Sequence, residues 1–362
     1  MKLAINTGGG DAPGLNAVIR AATYSARLLG WEVWGIRQGY RGLLDMDPKE
    51  GLIPLTRTTV RGITNLGGTI LGTVNKGNPF EYPVKQADGS VKAVDRSDEL
   101  IAKFKAQGFD ALMAIGGDGS LRIAYQLSQK GLPVVGVPKT IDNDLAETVV
   151  TFGFDTAVSI ATDAIDRLHT TAEAHERVMV VEVMGRYAGW IALNSGVSAT
   201  ADVILIPEIP FDMDKVCDKI YEREAAGRHF TIVVAAEGAK PKGGDMLTKG
   251  AKEIGREVRL GGIAEWVAQE ASNRTGKESR SMVLGHLQRG GGPTTFDRLL
   301  ALRFGAAAIR CLATGERGVM VSLAPPTVRT VPLEKVIGRM KGVDLDCDTM
   351  ITARSLGICF GD

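Results

Sequence analysis

Short apolar runs alternate along the chain with longer stretches in which apolar residues recur every three or four positions. This alternation predicts β-α units, with mostly parallel sheets covered by helices on both faces. Strands are expected at Leu3–Asn6, Glu32–Ile36, Ala111–Ile115, Val134–Val137, Val178–Val183, Val203–Ile206, Thr231–Ala235, Met282–Gly285 and Val319–Ser322. The segment Phe154–His175 carries the clearest helical stripe. Ala157, Ile160, Ala161, Ala164, Ile165 and Leu168 fall on one side of it, and Asp163, Asp166 and Arg167 fall elsewhere. Asn75–Asp98 is interrupted by Pro79, Pro83 and Asp88-Gly89 and is expected to form a loop or small hairpin beside the sheet. The fold class is α/β.

Composition narrows the picture. A chain of 362 residues with 44% apolar content can fill about two cores. Its 43 basic and 42 acidic residues nearly cancel, so no global field draws it onto nucleic acid or an anionic membrane. Any anion must be captured locally. Cys217, Cys311, Cys347 and Cys359 are scattered, with no C-x-x-C pair and no histidine at zinc spacing, which argues against disulfides and structural zinc. No stretch reaches the ~18 apolar residues of a membrane span, and a cytoplasmic location is expected.

Three strand-to-helix loops carry candidate chemistry. Gly8-Gly9-Gly10-Asp11-Ala12-Pro13-Gly14 opens a helix near Leu15 without Walker spacing, and its backbone can approach an anion closely. Gly116-Gly117-Asp118-Gly119-Ser120 opens the helix Leu121–Gln129 and adds a carboxylate able to hold a metal. Pro138-Lys139-Thr140-Ile141-Asp142-Asn143-Asp144 crowds two carboxylates and a lysine into one turn. Any one of these loops, taken alone, would serve equally as a tight turn. Placed together beyond the carboxyl ends of one sheet, they point to phosphoryl transfer.

In this order, GGDAPGLNAVIR at Gly9–Arg20, GGDGS at Gly116–Ser120, PKTIDND at Pro138–Asp144, VVEVMGRYAGW at Val180–Trp190 and RSMVLGHLQRGG at Arg280–Gly291 resemble the 6-phosphofructokinase family. The resemblance runs from Gly9 to about Ile309. It implies transfer of a phosphoryl group to the 1-hydroxyl of fructose 6-phosphate. Asp142 is implied as the general base, Thr140 as a hydroxyl beside the transferred group, and Asp118 and Asp144 as Mg²⁺ carboxylates. Gly10, Tyr40, Gly119 and Ser120 are implied around the donor. Met184, Gly185, Arg186, Glu237, His286 and Arg289 are implied around the sugar phosphate, with Arg186 also beside the reaction. Arg177 and Arg280 are implied to reach the substrate of a neighbouring subunit, so a homotetramer or homodimer with shared sites is expected and the monomer is expected to be inactive. The family architecture implies a donor domain of residues 1–153 plus 289–338 and a fructose 6-phosphate domain of residues 154–288 plus 339–362.

The chain also departs from the family pattern. Gly119 matches ATP enzymes, in which a side chain would fill the space of the α-phosphate, whereas Lys139 matches pyrophosphate enzymes. ATP is the expected donor and pyrophosphate the alternative. Lys76, in Asn75-Lys76-Gly77, stands where many members place an arginine near the transferring group and is expected to supply that charge. Tyr24 and His169 replace residues usually basic in the effector site, Arg20 remains, and Ala226 and Arg228 match in part. Weak or altered response to ADP and phosphoenolpyruvate is therefore expected. Rival readings are a phosphotransferase acting on another ketose phosphate, a lipid or NAD kinase with its own G-G-D-G loop, and a catalytically silent sensor. The intact acidic trio argues against the sensor. The tail Val336–Asp362 suggests no role.

Overall fold

The computed structural model describes residues 1–74, 77–248 and 260–362. Seven strands form one sheet: β1 (Lys2–Thr7), β2 (Glu32–Ile36), β3 (Leu52–Pro54), β6 (Ala111–Gly116), β7 (Val134–Pro138), β12 (Val319–Ala324) and β13 (Thr327–Pro332). Their order is β13-β12-β7-β6-β1-β2-β3. The five central strands run parallel, and the two edge strands pair antiparallel. A second, parallel sheet has the order β11-β8-β10-β9, formed by β8 (Val178–Val183), β9 (Val203–Leu205), β10 (Thr231–Ala236) and β11 (Ser279–Val283). Strands β4 (Tyr82–Lys85) and β5 (Val91–Val94) make the small separate hairpin expected between Asn75 and Asp98.

Both main sheets are buried on both faces, so the two-residue period sends successive side chains into different cores. Leu3 and Ile5 of β1 pack with the helices Leu15–Leu28 and Thr295–Ala313, while Ala4 between them joins the core under Ser97–Ala106 and Asp118–Gln129. In β8, Met179, Val181 and Val183 face Ala157, Ala161 and Ile165 of Phe154–His175, and Val178 and Val180 face Val216 and Val267. Each fully buried Val, Leu or Ile side chain contributes about 1.5–3 kcal/mol. Asp163, Asp166 and Arg167 are exposed, as the periodicity of that helix requires.

Two features differ from the sequence expectation. The strand expected at Met282–Gly285 lies at Ser279–Val283, and Gly285 instead opens the 3₁₀ turn Gly285–Arg289. As an edge strand with four exposed side chains it carries no buried apolar run. Strands β3 and β13 were not anticipated because they too are edge strands, short or alternately exposed. The tail shields another edge: Cys359 pairs with Val203 of β9, and its carbonyl accepts from Ile204 N at 2.9 Å. No helix among the described residues is long and apolar enough to cross a membrane.

A buried polar knot joins the helix starting at Phe154 to the one starting at Thr295. Asp297 Oδ2 accepts from Thr156 N (2.7 Å) and Thr156 Oγ1 (2.6 Å), while Oδ1 has no partner. Burial raises the Asp297 carboxyl from 3.8 to about 6. The native state therefore holds this proton more tightly than the unfolded chain, and the associated stability, full below pH ~4, is lost as the pH rises through 6. Asp297→Asn removes that dependence while keeping an acceptor for Thr156. It is expected to gain stability over the parent by roughly 2 kcal/mol between pH 4.5 and 7.5, read from unfolding midpoints. A difference that does not vary with pH would contradict this account.

Candidate active site

Strands β7, β6 and β1 are neighbours, so their carboxyl ends bring the three glycine- and aspartate-bearing loops side by side. Gly8 N donates to Ile115 O (3.0 Å) and Lys139 N to Gly116 O (3.0 Å), locking the loop bases together. In the second sheet, the neighbours β11, β8 and β10 likewise place His286 and Arg289, Met184–Arg186, and Glu237 at one edge. The two edges meet. Arg289 Nη1 donates to the Asp11 carbonyl at 2.9 Å and lies against Gly10, and the charges of both Arg289 and Glu237 are felt at Asp142.

Asp142 is the centre of this arrangement. Its carboxyl is buried, and Oδ1 is shielded from solvent with no hydrogen-bond partner. Burial, followed by repulsion from Asp144, raises it to about 7 against the pull of Arg289 and Lys139. Asp144 is raised by its burial, with Asp118 adding to the rise and a hydrogen bond from Thr140 opposing it. Glu237 is raised by burial against the attraction of Arg186. The local cations carry the opposite cost: burial and Arg289 bring Lys139 down to about 8, and its Nζ donates to the Gly10 carbonyl at 2.5 Å.

The Asp142 loop is closed on itself. Asp142 N donates to Thr140 Oγ1 (3.1 Å), Thr151 Oγ1 to the Thr140 carbonyl (2.7 Å), and Thr151 N to Asn143 Oδ1 (3.1 Å). Asp118 opens its helix; its Oδ1 accepts from Gly338 N (2.9 Å) and its Oδ2 pairs with Arg122 (3.1 Å). No group of three or more His, Cys, Asp or Glu side chains among the described residues is set to hold a metal. The charge of Asp118 nonetheless reaches Asp144 across the loops, and one or two carboxylates plus substrate phosphates is the set Mg²⁺ takes. The pair fits the ion on that basis.

The structure thus brings together Gly10, Asp118, Gly119, Ser120, Thr140, Asp142, Asp144, Met184, Gly185, Arg186, Glu237 and Arg289 at two facing sheet edges. A side chain at Gly119 would project into open space. His286 is exposed beside a hollow of about 740 Å³ lined by Val283, Leu284, Leu287, Gly290 and Gly291, which touches none of the carboxylates. Tyr40 is 7% exposed, packed in the core with its hydroxyl toward Asn6. Arg177 and Arg280 lie at the opposite, amino ends of β8 and β11, about 20 Å along the strands from Arg186. Both pair there with Glu278, at 2.9 and 2.5 Å. Lys76 lies outside the described residues.

Residue-type reasoning missed two positions. Gln288 is fully buried and its Oε1 accepts from Met184 N at 3.3 Å, tying the 3₁₀ turn to the end of β8. Gly238 passes so close to the Arg186 carbonyl that a Cβ would sit 1.9 Å from it. Only the bare G in E-G-A marked that position in sequence.

Glycine- and aspartate-bearing loops at the meeting edges of two parallel sheets define an α/β protein of the anion-binding class, and comparison with known proteins gives the family. The family model for phosphofructokinase matches residues 2–312, and the chain belongs to that family. It is 51% identical over 364 positions to an ATP-dependent 6-phosphofructokinase of Chloroflexus aggregans, covering 100% of this chain and 98% of that protein. It is also 49% identical over 347 positions to a pyrophosphate–fructose 6-phosphate 1-phosphotransferase of Streptomyces coelicolor, covering 95% and 96%. Among solved structures, phosphofructokinase from Saccharomyces cerevisiae superposes with a TM-score of 0.77 at 28% identity; 92% of this chain is covered but only 45% of the yeast chain.

Gly238→Ala is expected to push the Arg186 backbone outward, since a Cβ contact under 3 Å on backbone must be relieved by movement. The expected result is a rise of ~10-fold or more in the KM for sugar phosphate together with a lower unfolding midpoint. Unchanged KM in a folded variant would show that the approach is slack.

Proposed function

We propose that the protein transfers the γ-phosphoryl group of ATP to the 1-hydroxyl of fructose 6-phosphate, giving fructose 1,6-bisphosphate and ADP. The observation that carries this reading is Asp142, a buried carboxyl with one unpartnered oxygen and a proton affinity near neutrality, between donor loops and sugar-phosphate groups. A base of that strength accepts a proton at physiological pH without being so weak that it cannot drive the transfer. As the O1–P bond forms and the bond from γ-phosphorus to the ADP oxygen breaks, the hydroxyl proton passes to Asp142 Oδ1. Thr140 orients the base through the Asp142 N–H. Arg289 and Lys139 supply positive charge beside it, and Arg186 sits by Glu237, whose carboxylate would accept from sugar hydroxyls. Asp118 and Asp144 would hold Mg²⁺, which when bound offsets charge on the phosphate oxygens.

ATP is favoured as donor because the space beyond Gly119 is open and the Lys139 ammonium is already engaged by the Gly10 carbonyl. Pyrophosphate use is the second reading, favoured by a buried cation among the glycine loops. The site is proposed to be completed by a neighbouring copy, whose Arg177 and Arg280 would bind the sugar phosphate. Both lie too far from Arg186 to act within one chain, and Met282, Val283 and Leu287 leave apolar side chains exposed along β11 and the turn that follows it. The division into residues 1–153 plus 289–338 and 154–288 plus 339–362 is proposed on the same footing, one sheet falling in each part.

Asp142→Asn keeps the shape of the base and removes its proton-accepting oxygen. A kcat loss of ~10²–10⁴-fold is expected, with the KM for fructose 6-phosphate within about threefold; near-parental turnover would remove the mechanism. Initial rates are expected to be higher with ATP than with pyrophosphate at equal concentration. Inactive Asp142→Asn and inactive Arg177→Ala chains, unfolded and refolded together, are expected to regain part of the parental rate. No recovery would count against shared sites.

A further inference from the structure

The segment Gly338–Val343 runs between the two sheet edges, beyond the stretch matched by the family model. Gly338 N donates to Asp118 Oδ1 at 2.9 Å. Met340 bridges Leu145, and Lys341 N donates to the Asp144 carbonyl at 2.9 Å. Trp190 Nε1 donates back to the Lys341 carbonyl at 2.8 Å. Val343 N donates to Glu208 Oε1 (2.7 Å), which also accepts from Gly189 N at 3.0 Å. One strand of chain thus touches a proposed metal carboxylate, the loop of the proposed base, and the turn that follows Arg186.

Lys341 makes the strongest of these attachments. Its Nζ donates to Asn143 Oδ1 (2.8 Å), the Thr148 carbonyl (2.9 Å) and the Val149 carbonyl (2.9 Å), using all three ammonium hydrogens, and lies 5.9 Å from the centre of the Trp190 ring. Asn143 stands next to Asp142 with φ 53°, a conformation that needs outside support. The far limb of the loop is held separately, Val149 N donating to the Leu323 carbonyl and Leu323 N to Thr148 Oγ1. Lys341 adds a charged tie between the two limbs beside the Thr151 bonds to Asn143 and Thr140, and is the cation that fastens both limbs to the Gly338–Val343 segment.

We propose that Lys341 is a positioning residue for phosphoryl transfer: its ammonium clamps Asn143 to the Thr148–Val149 carbonyls and so holds the carboxyls of Asp142 and Asp144 in register with the sugar-phosphate edge. The role in turnover rests on the proposed function, while the clamp itself does not. A carboxyl displaced by about 1 Å from its acceptor geometry costs ~10²-fold in rate with little effect on ground-state binding.

The test is Lys341→Met in the full chain, which keeps length and apolar packing against Trp190 and removes the donors; Lys341→Gln replaces it if the methionine variant does not fold. The expected result is a kcat lower by ~10²-fold, with the KM for ATP and fructose 6-phosphate within about threefold. Without substrates, amide hydrogen exchange is expected to rise in residues 142–149 and not in Phe154–His175. A folded variant with kcat within threefold of the parent overturns the proposal, as does a rise in exchange spread over both segments. Should the parent transfer phosphate to fructose 6-phosphate from neither donor, the functional reading fails, and exchange alone decides the clamp: a rise confined to residues 142–149 sustains it, and no rise overturns it.

Discussion

The site depends on holding a carboxylate pair and a third acidic side chain together where water reaches them only in part. Asp142, Asp144 and Glu237 are each raised chiefly by burial, and Asp144 and Glu237 add to the repulsion around Asp142. An isolated charge in such a place costs several kcal/mol, and the chain relieves it in two ways. Lys139 and Arg289 approach from opposite loops, and Asp142 keeps its proton up to about pH 7. The cations are themselves fixed to backbone carbonyls, Lys139 to Gly10 and Arg289 to Asp11, so they cannot collapse onto the acids. What remains is a proton acceptor with one oxygen left unsatisfied, stable only because the apolar layers beneath it are rigid.

Those layers explain the rigidity. Apart from the turn after the exposed edge strand β11, which carries His286 and Arg289, the loops that carry site residues leave strands buried on both sides, and the neighbours β7, β6 and β1 hold three such loops within hydrogen-bond distance of one another. Reading the sequence recovered this part well, because β1, β6, β7, β8 and β10 are continuous apolar runs and Phe154–His175 is a regular stripe. The acidic residues at their ends followed directly. The assembly of Asp118, Asp142 and Asp144 at one edge was legible for the same reason: parallel strands put all their carboxyl ends on one side.

What was not legible lies at edges and in side-chain partnerships over long sequence separations. Strand β11 slipped upstream of its expected place because an exposed edge tolerates Arg280 and Ser281 where a central strand would need apolar side chains. Gln288 looked like a polar turn residue, and nothing local says that its amide is buried against Met184 N, 104 positions away. The tail was opaque for a related reason. Its apolar content is ordinary, and its worth lies in single backbone groups spaced to meet Asp118, Asp144 and Glu208.

The tail bears on how the two edges keep their separation. Asp297 and Thr156 fasten the crossing between the sheets on the side of the helix starts, far in sequence from the Gly338–Val343 strap. With the Arg289 bond to the Asp11 carbonyl, they join the two sheets at separate points. Between them sit the Asp142 loop on one edge and Met184–Arg186 on the other, which have to stay within reach of a single hydroxyl and a single phosphate. Neither fastening is apolar, and this matters. Hydrogen bonds fix direction as well as distance, so a polar strap can hold a loop at φ 53° in one orientation where a greasy contact would let it slide.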